Sequence, residues 1–158
     1  MLVPVSISRL LIREMADSQF VTLQELEGGR SFPIAIGLTE AFAIERRMSG
    51  ATPPRPQTHD LLDSAIASLG GRLVRVEIHT LDGGTFHARL VLERDGETIE
   101  VDSRPSDAIA LGVARDTPIM VDERVIDEAV VSYGTGDLGE AESPFPDEVD
   151  EDDDSEFR

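Results

Sequence analysis

Val3, Val5 and Ile7 alternate with small or polar residues, the period of a half-buried strand. The apolar positions then move to Leu10 and Ile12, a change of register that predicts a bulge or bend near Arg9. Phe20 to Leu26 reads as a second strand and Ser31 to Ile36 as a third. Between them Glu27-Gly28-Gly29-Arg30 supplies a hairpin turn, with glycine providing positive φ. The period then lengthens. Ala41, Ile44 and Met48 share one face of a helix that Thr39 is expected to cap and Gly50 to end. Pro53, Pro54 and Pro56 make the following connector too stiff for helix or central strand. Thr58 is expected to cap a second helix whose apolar stripe is Leu61, Leu62, Ala65, Ile66 and Leu69, closed by Gly70-Gly71.

Three strands follow, at about 72–80, 85–94 and 98–102, separated by Asp82-Gly83-Gly84 and Asp95-Gly96 turns. Such spacing predicts an antiparallel meander with Val74, Val76 and Ile78 on its buried face. Pro105 suits the first position of a third helix, where a missing N–H costs least, running to about Arg115. A short strand at 118–121 and a helix or strand at 123–131 complete the pattern. The pattern is α+β: mixed, mostly antiparallel strands with three to four helices in a single compact domain over residues 1–133.

Composition changes the picture at the C-terminal end. From Asp137 onward there are eleven acidic residues and one Arg, a net of −10 out of a total of −18. Residues 134–158 carry too little apolar surface to offset their ordering entropy and are expected to form a disordered acidic tail. All fourteen basic residues are Arg. An acidic surface without Lys suits high salt, where screening suppresses self-repulsion, so a halophilic protein is expected. The absence of Cys excludes disulfides and thiolate metal sites. Met1 to Ser6 lacks the basic and apolar regions of a signal peptide, and the apolar segment 108–114 is far below the roughly 20 residues of a membrane helix. A cytoplasmic protein with no membrane association is expected.

Candidate chemistry centres on two similar turns. Arg55-Pro56-Gln57-Thr58-His59-Asp60 precedes the second helix and Arg104-Pro105-Ser106-Asp107 the third. Capping alone accounts for Thr58, Ser106 and the acids, each worth a few tenths to about 1 kcal/mol. It does not account for an Arg before each Pro, nor for a His between cap and acid. A helix N-terminus with an adjacent Arg is an anion site, so Arg55, Thr58, Arg104 and Ser106 are expected to bind a phosphodiester. His59 is expected to serve as acid or base, with Asp60 and Asp107 completing a catalytic set. Asp60, Asp102 and Asp107 are candidate ligands for Mg²⁺ or Mn²⁺, Asp102 and Asp107 foremost. Glu45 is a further acid on the first helix.

At these motifs the chain resembles the bifunctional nuclease domain family. The resemblance is carried by Gly37-Leu38-Thr39-Glu40-Ala41 with Ile44, by Arg55 to Leu61, by Thr85-Phe86-His87-Ala88, by Asp102 to Leu111, and by Pro118-Ile119. It implies a compact α+β domain that self-associates as a homodimer or higher homo-oligomer, and a nuclease acting on RNA and DNA. With the composition above, it points to a haloarchaeal member. The acidic body runs against that activity. Each phosphate neutralised costs about 0.9 in log K per decade of salt, so about four contacts lose roughly four orders of magnitude between 0.15 and 2 M. Base stacking would have to compensate, yet aromatics are only 4% of the chain. The alternative is a non-catalytic module that binds an anion or a protein partner through the same entrances.

Overall fold

The computed structural model describes residues 1–134. The expected tail therefore lies, apart from Gly134, outside the described residues. Seven strands and four helices follow one another as β1 (Leu2–Leu11), β2 (Gln19–Glu25), β3 (Ser31–Ile36), α1 (Leu38–Ser49), α2 (Thr58–Ser68), β4 (Arg72–Asp82), β5 (Thr85–Arg94), β6 (Glu97–Ser103), α3 (Pro105–Val113), β7 (Ile119–Asp122) and α4 (Glu123–Tyr133). The strands form one sheet in the order β3-β2-β1-β7-β4-β5-β6. Only β4 and β7 pair in parallel; the other neighbours are antiparallel. This is the α+β class that the alternation and turn residues predict.

One face of the sheet carries Val5, Val21, Leu23, Ile34, Val76, Ile78, Ala88, Leu90, Ile119 and Val121 into a continuous core. Helix α3 lies against β4 and β5, α4 against β3, β4 and β7, and α1 against α3 and β2. The closeness of α3 depends on Gly112. A Cβ there would meet Val76 Cγ2 at 3.3 Å, a tight contact that Val76 or the helix would have to relieve by a few tenths of an ångström. On the opposite face Glu77, 1% exposed, accepts hydrogen bonds from Arg75 Nε and Arg89 Nε, both at 2.6 Å. Burial pushes its carboxyl up, but the two guanidinium groups hold it below its ordinary value.

The bulge expected near Arg9 is present, as a register shift between Ile7 and Arg9. Two more interrupt the pairing of β4 with β5, one of them between Ile78 and Thr80. The pairing of β4 with β5 slips between Leu73 and Arg75, so Leu73 packs against the core in place of Val74. Helix starts also differ by a residue or two. Gly37 and Gln57 are the N-caps, which moves Thr39 to the second helical position of α1 and Thr58 to the first of α2. No threonine oxygen caps either end.

Two helix faces depart from the apolar pattern. The α2 stripe is largely unburied: Leu61, Leu62 and Leu69 are 62%, 41% and 72% exposed, and of the stripe only Ile66 packs against the core. Helix α2 rests on α3 and β4, and Asp60 and Asp63 tie it to α1 through Arg47. On α1, Met48 is exposed and Arg47 is buried instead, at 7%. An arginine is tolerated there because all three of its guanidinium nitrogens have partners. Nε donates to Ala110 O at 2.6 Å, NH1 to Asp60 Oδ1 at 2.5 Å, and NH2 approaches Asp63 Oδ2 at 3.4 Å.

Candidate functional site

The site is built where three helices begin. Strand β6 ends at Ser103, and Arg104 is held extended (φ −70°, ψ 146°) because the following proline disfavours helical geometry before it. Pro105 then opens α3, which is buried from Ala108 to Gly112. Asp107 is therefore fixed in the first turn of the most deeply packed helix. The α2 entrance follows the stiff proline connector. Asp60 accepts the N–H of Gln57 at 2.9 Å and closes the first turn, which sets His59 at the second helical position.

These two entrances meet. His59 Nε2–H donates to Asp107 Oδ1 at 2.9 Å, and Arg104 Nε donates to Asp107 Oδ2 at the same distance. The third entrance joins them through Glu40, whose Oε1 accepts from Arg104 NH1 at 3.1 Å. Glu40 folds back over its own helix start: a Cβ on Gly37 would lie 2.2 Å from Glu40 Oε2. Glycine is the residue that leaves this carboxylate room to face Arg104. The result is a continuous chain, Glu40–Arg104–Asp107–His59.

Electrostatics keeps Asp107 and Arg104 in their charged forms. Burial works to raise the Asp107 carboxyl, but hydrogen bonds from Arg104 and His59 hold it below its ordinary value. The Asp107 hydrogen bond and charge, followed by Glu40, push the Arg104 guanidinium up. Asp107 is thus an ionised acceptor that orients the imidazole through Nε2. The other ring nitrogen, Nδ1, has no partner among the described residues. The His59 side chain is 14% exposed.

Two clefts flank this chain. One, of about 580 Å³, is lined by Thr58, His59, Asp102, Arg104 and Asp107. The other, of about 310 Å³, is lined by Gly37, Phe86, Arg104, Ser106 and Tyr133. Arg104 belongs to both and forms the ridge between them.

The expected site residues divide accordingly. His59, Asp107 and Arg104 come together, with Thr58, Asp102 and Ser106 on the cleft walls. Asp60 is drawn away from the dyad. Its oxygens are taken by Gln57 N, Arg46 NH2 at 2.9 Å and Arg47 NH1 at 2.5 Å. Burial opposes its ionisation, but these donors keep it below its ordinary value. Its position ties α2 to α1. Arg55 is exposed, lies two residues before the Gln57 cap, and makes no side-chain hydrogen bond or ion pair among the described residues. The repeated Arg-Pro motif is therefore not repeated in space: Arg104 is itself an N-cap and Arg55 is not. Glu45 is exposed.

Glu40 was missed by reading the sequence around Arg-Pro pairs. The available signal was its position, the third of its helix, which Asp60 and Asp107 also occupy in theirs. Of the carboxylates expected to hold a metal ion, Asp60 and Asp107 are engaged by nitrogen donors. Both Asp107 oxygens and both Asp60 oxygens already serve nitrogen donors, and among the described residues no three His, Asp or Glu side chains cluster to hold a cation.

With this geometry, the match to known proteins is informative. The model of the bifunctional nuclease domain matches residues 21–133, which spans all three helix entrances, and the chain belongs to that family. An uncharacterized protein of Mycobacterium tuberculosis is 41% identical over 118 residues, covering 75% of this chain and 70% of the relative, in each of two strains. A rice protein, bifunctional nuclease 1 of Oryza sativa subsp. japonica, is 26% identical over 120 residues, covering 73% of this chain but 36% of its own length. These mycobacterial and plant relatives give the haloarchaeal reading no support. No helix among the described residues is long and apolar enough to cross a membrane.

Proposed function

We propose that this protein is a cytoplasmic nuclease that hydrolyses phosphodiester bonds of RNA or DNA at the Arg104–Asp107–His59 cluster. The observation that carries this reading is the 2.9 Å contact between His59 and Asp107, which joins two helix entrances 48 residues apart and gives an imidazole a fixed orientation beside an arginine. In this reading Nδ1 of His59 takes a proton from the attacking water, and the imidazolium returns it to the departing ester oxygen. Asp107 stabilises the imidazolium between these steps. Arg104 contacts the phosphate through NH2, the guanidinium nitrogen that neither Glu40 nor Asp107 holds. Asp102 and Thr58 line the same cleft. No step uses a metal. Hydrolysis retained in EDTA is the expected result, and restoration by Mg²⁺ or Mn²⁺ alone would return Asp102 and Asp107 to the role of ligands.

The experiment uses tag-free protein with labelled RNA and DNA over a range of KCl. Arg104→Gln is expected to weaken binding uniformly across sequences and to reduce the slope of log K against log salt by about 1, one phosphate contact. An unchanged slope would remove Arg104 from the phosphate.

A second reading is favoured by one observation. Arg104 is already paired with two carboxylates, as suits a non-catalytic module recognising a partner's charged group. Binding without hydrolysis in the same assay would select it. In either reading the exposed α2 face bearing Leu61 and Leu69 serves self-association. Sedimentation velocity is expected to show a dimer that Leu61→Glu converts to monomer. A monomer at all concentrations would reject that role.

A further inference from the structure

The smaller cleft is walled by two of the few aromatic side chains in the protein. Phe32, 1% exposed, stacks on Phe86 with ring centroids 5.8 Å apart and planes inclined by 20°. Phe86 in turn meets Tyr133 at 6.4 Å and 36°. The row therefore runs outward from the core and ends in two half-buried rings lining the cleft. The Tyr133 hydroxyl oxygen lies near the turn before β5, where a Cβ on Gly84 would be 3.6 Å from it. The rings come from β3, β5 and the last turn of α4, three elements joined by the core. Arg104, Pro105 and Ser106 line the same cleft.

We propose that this cleft is a nucleobase subsite: it takes one unpaired base against Phe86 and Tyr133 while the adjoining phosphate rests at Arg104. The inference deepens the nuclease reading and rests on it for the phosphate position. Three features select a base over other occupants. The wall is aromatic, and every base offers a π-face to it irrespective of sequence. The rings are braced by the core, so little ordering entropy is lost on binding. The cationic Arg104 lies beside the aromatic wall, an order that matches a nucleotide's phosphate beside its base. A volume of about 310 Å³ is enough for one nucleoside unit. Duplex bases have their faces covered by neighbours, so the cleft selects single strands or frayed ends. Stacking also supplies affinity that salt does not screen, which the acidic surface of this protein requires.

The chain contains one Tyr and no Trp, so selective ¹³C-tyrosine labelling reports on Tyr133 alone. The full-length His59→Ala variant is titrated with single-stranded oligodeoxythymidylate, with an abasic oligomer of equal length, and with a blunt duplex. The single strand is expected to shift the Tyr133 ring signals and the other two to leave them in place. Tyr133→Ala is expected to weaken single-strand binding about 5- to 150-fold, the range of one base–aromatic stack, and Tyr133→Phe to preserve it. Ring signals that stay fixed, or that move equally with the abasic strand, overturn the subsite. If they stay fixed while the unsubstituted protein still shows His59-dependent hydrolysis, the subsite fails and the nuclease reading stands. Shifts confined to the base-bearing strand with no hydrolysis leave the subsite standing and remove the nuclease reading.

Discussion

Replacing His59 by alanine is expected to lower kcat/KM for phosphodiester cleavage by about 10²- to 10⁴-fold, the contribution of a positioned acid–base group. The loss should appear in kcat more than in KM, because Arg104 and the cleft walls remain to hold the substrate. Asp107→Asn is expected to fall in the same range by a different route. The amide is nearly the shape of the carboxylate, but it carries no charge to stabilise an imidazolium and presents only one acceptor oxygen to two donors, His59 Nε2 and Arg104 Nε. Quenched-flow or gel assays on labelled single strands measure both. Full activity in either variant would assign the cleavage to another site.

The second large effect concerns stability. Asp60→Ala is expected to destabilise the fold by roughly 3–5 kcal/mol, because it strands a buried cation and does not merely remove a surface pair. The side chain of Arg47 is 5% exposed and that of Asp60 22%, at 2.5 Å, while Arg46 is held by the same carboxylate. Asp63 stays within 3.4 Å of Arg47 and offsets part of the loss, which favours the lower end of the range. The same substitution removes the acceptor that caps the α2 entrance at Gln57 N. Chemical denaturation of the unsubstituted and variant proteins gives the difference directly. An unchanged midpoint with selective loss of cleavage would return Asp60 to the catalytic set, where its place in the sequence beside His59 first put it.

Asp60 and Asp107 show where sequence reading succeeds and where it stops. Both occupy the same position in their helices and both follow an Arg-Pro pair. Their fates differ because of residues far away in the chain: Arg46 and Arg47 reach Asp60, whereas His59 reaches Asp107. Local spacing cannot report such pairings. The strands were legible because glycine turns and period-two alternation are local, and so was the bulge at Arg9. The slip at Leu73 was not, since it depends on the register chosen by β5. Hydrophobic periodicity also misjudged α2. Its stripe is genuine, but the chain folds with Arg47, Asp60 and Asp63 as the contacts that seat the helix, and Leu61 and Leu69 face outward. Nothing local in the sequence sets Phe86 and Tyr133 apart from the other aromatics, and only the meeting of β5, α4 and the α3 entrance places them on a cleft beside Arg104.

The most direct test of the central claim is a double-mutant cycle on His59 and Asp107 in single-strand cleavage. If Asp107 acts through the imidazole, the double variant His59→Ala/Asp107→Asn loses no more than about what His59→Ala loses alone, and the two effects are strongly non-additive. Losses that multiply would show that the two residues work separately and would contradict a dyad at the meeting point of α2 and α3.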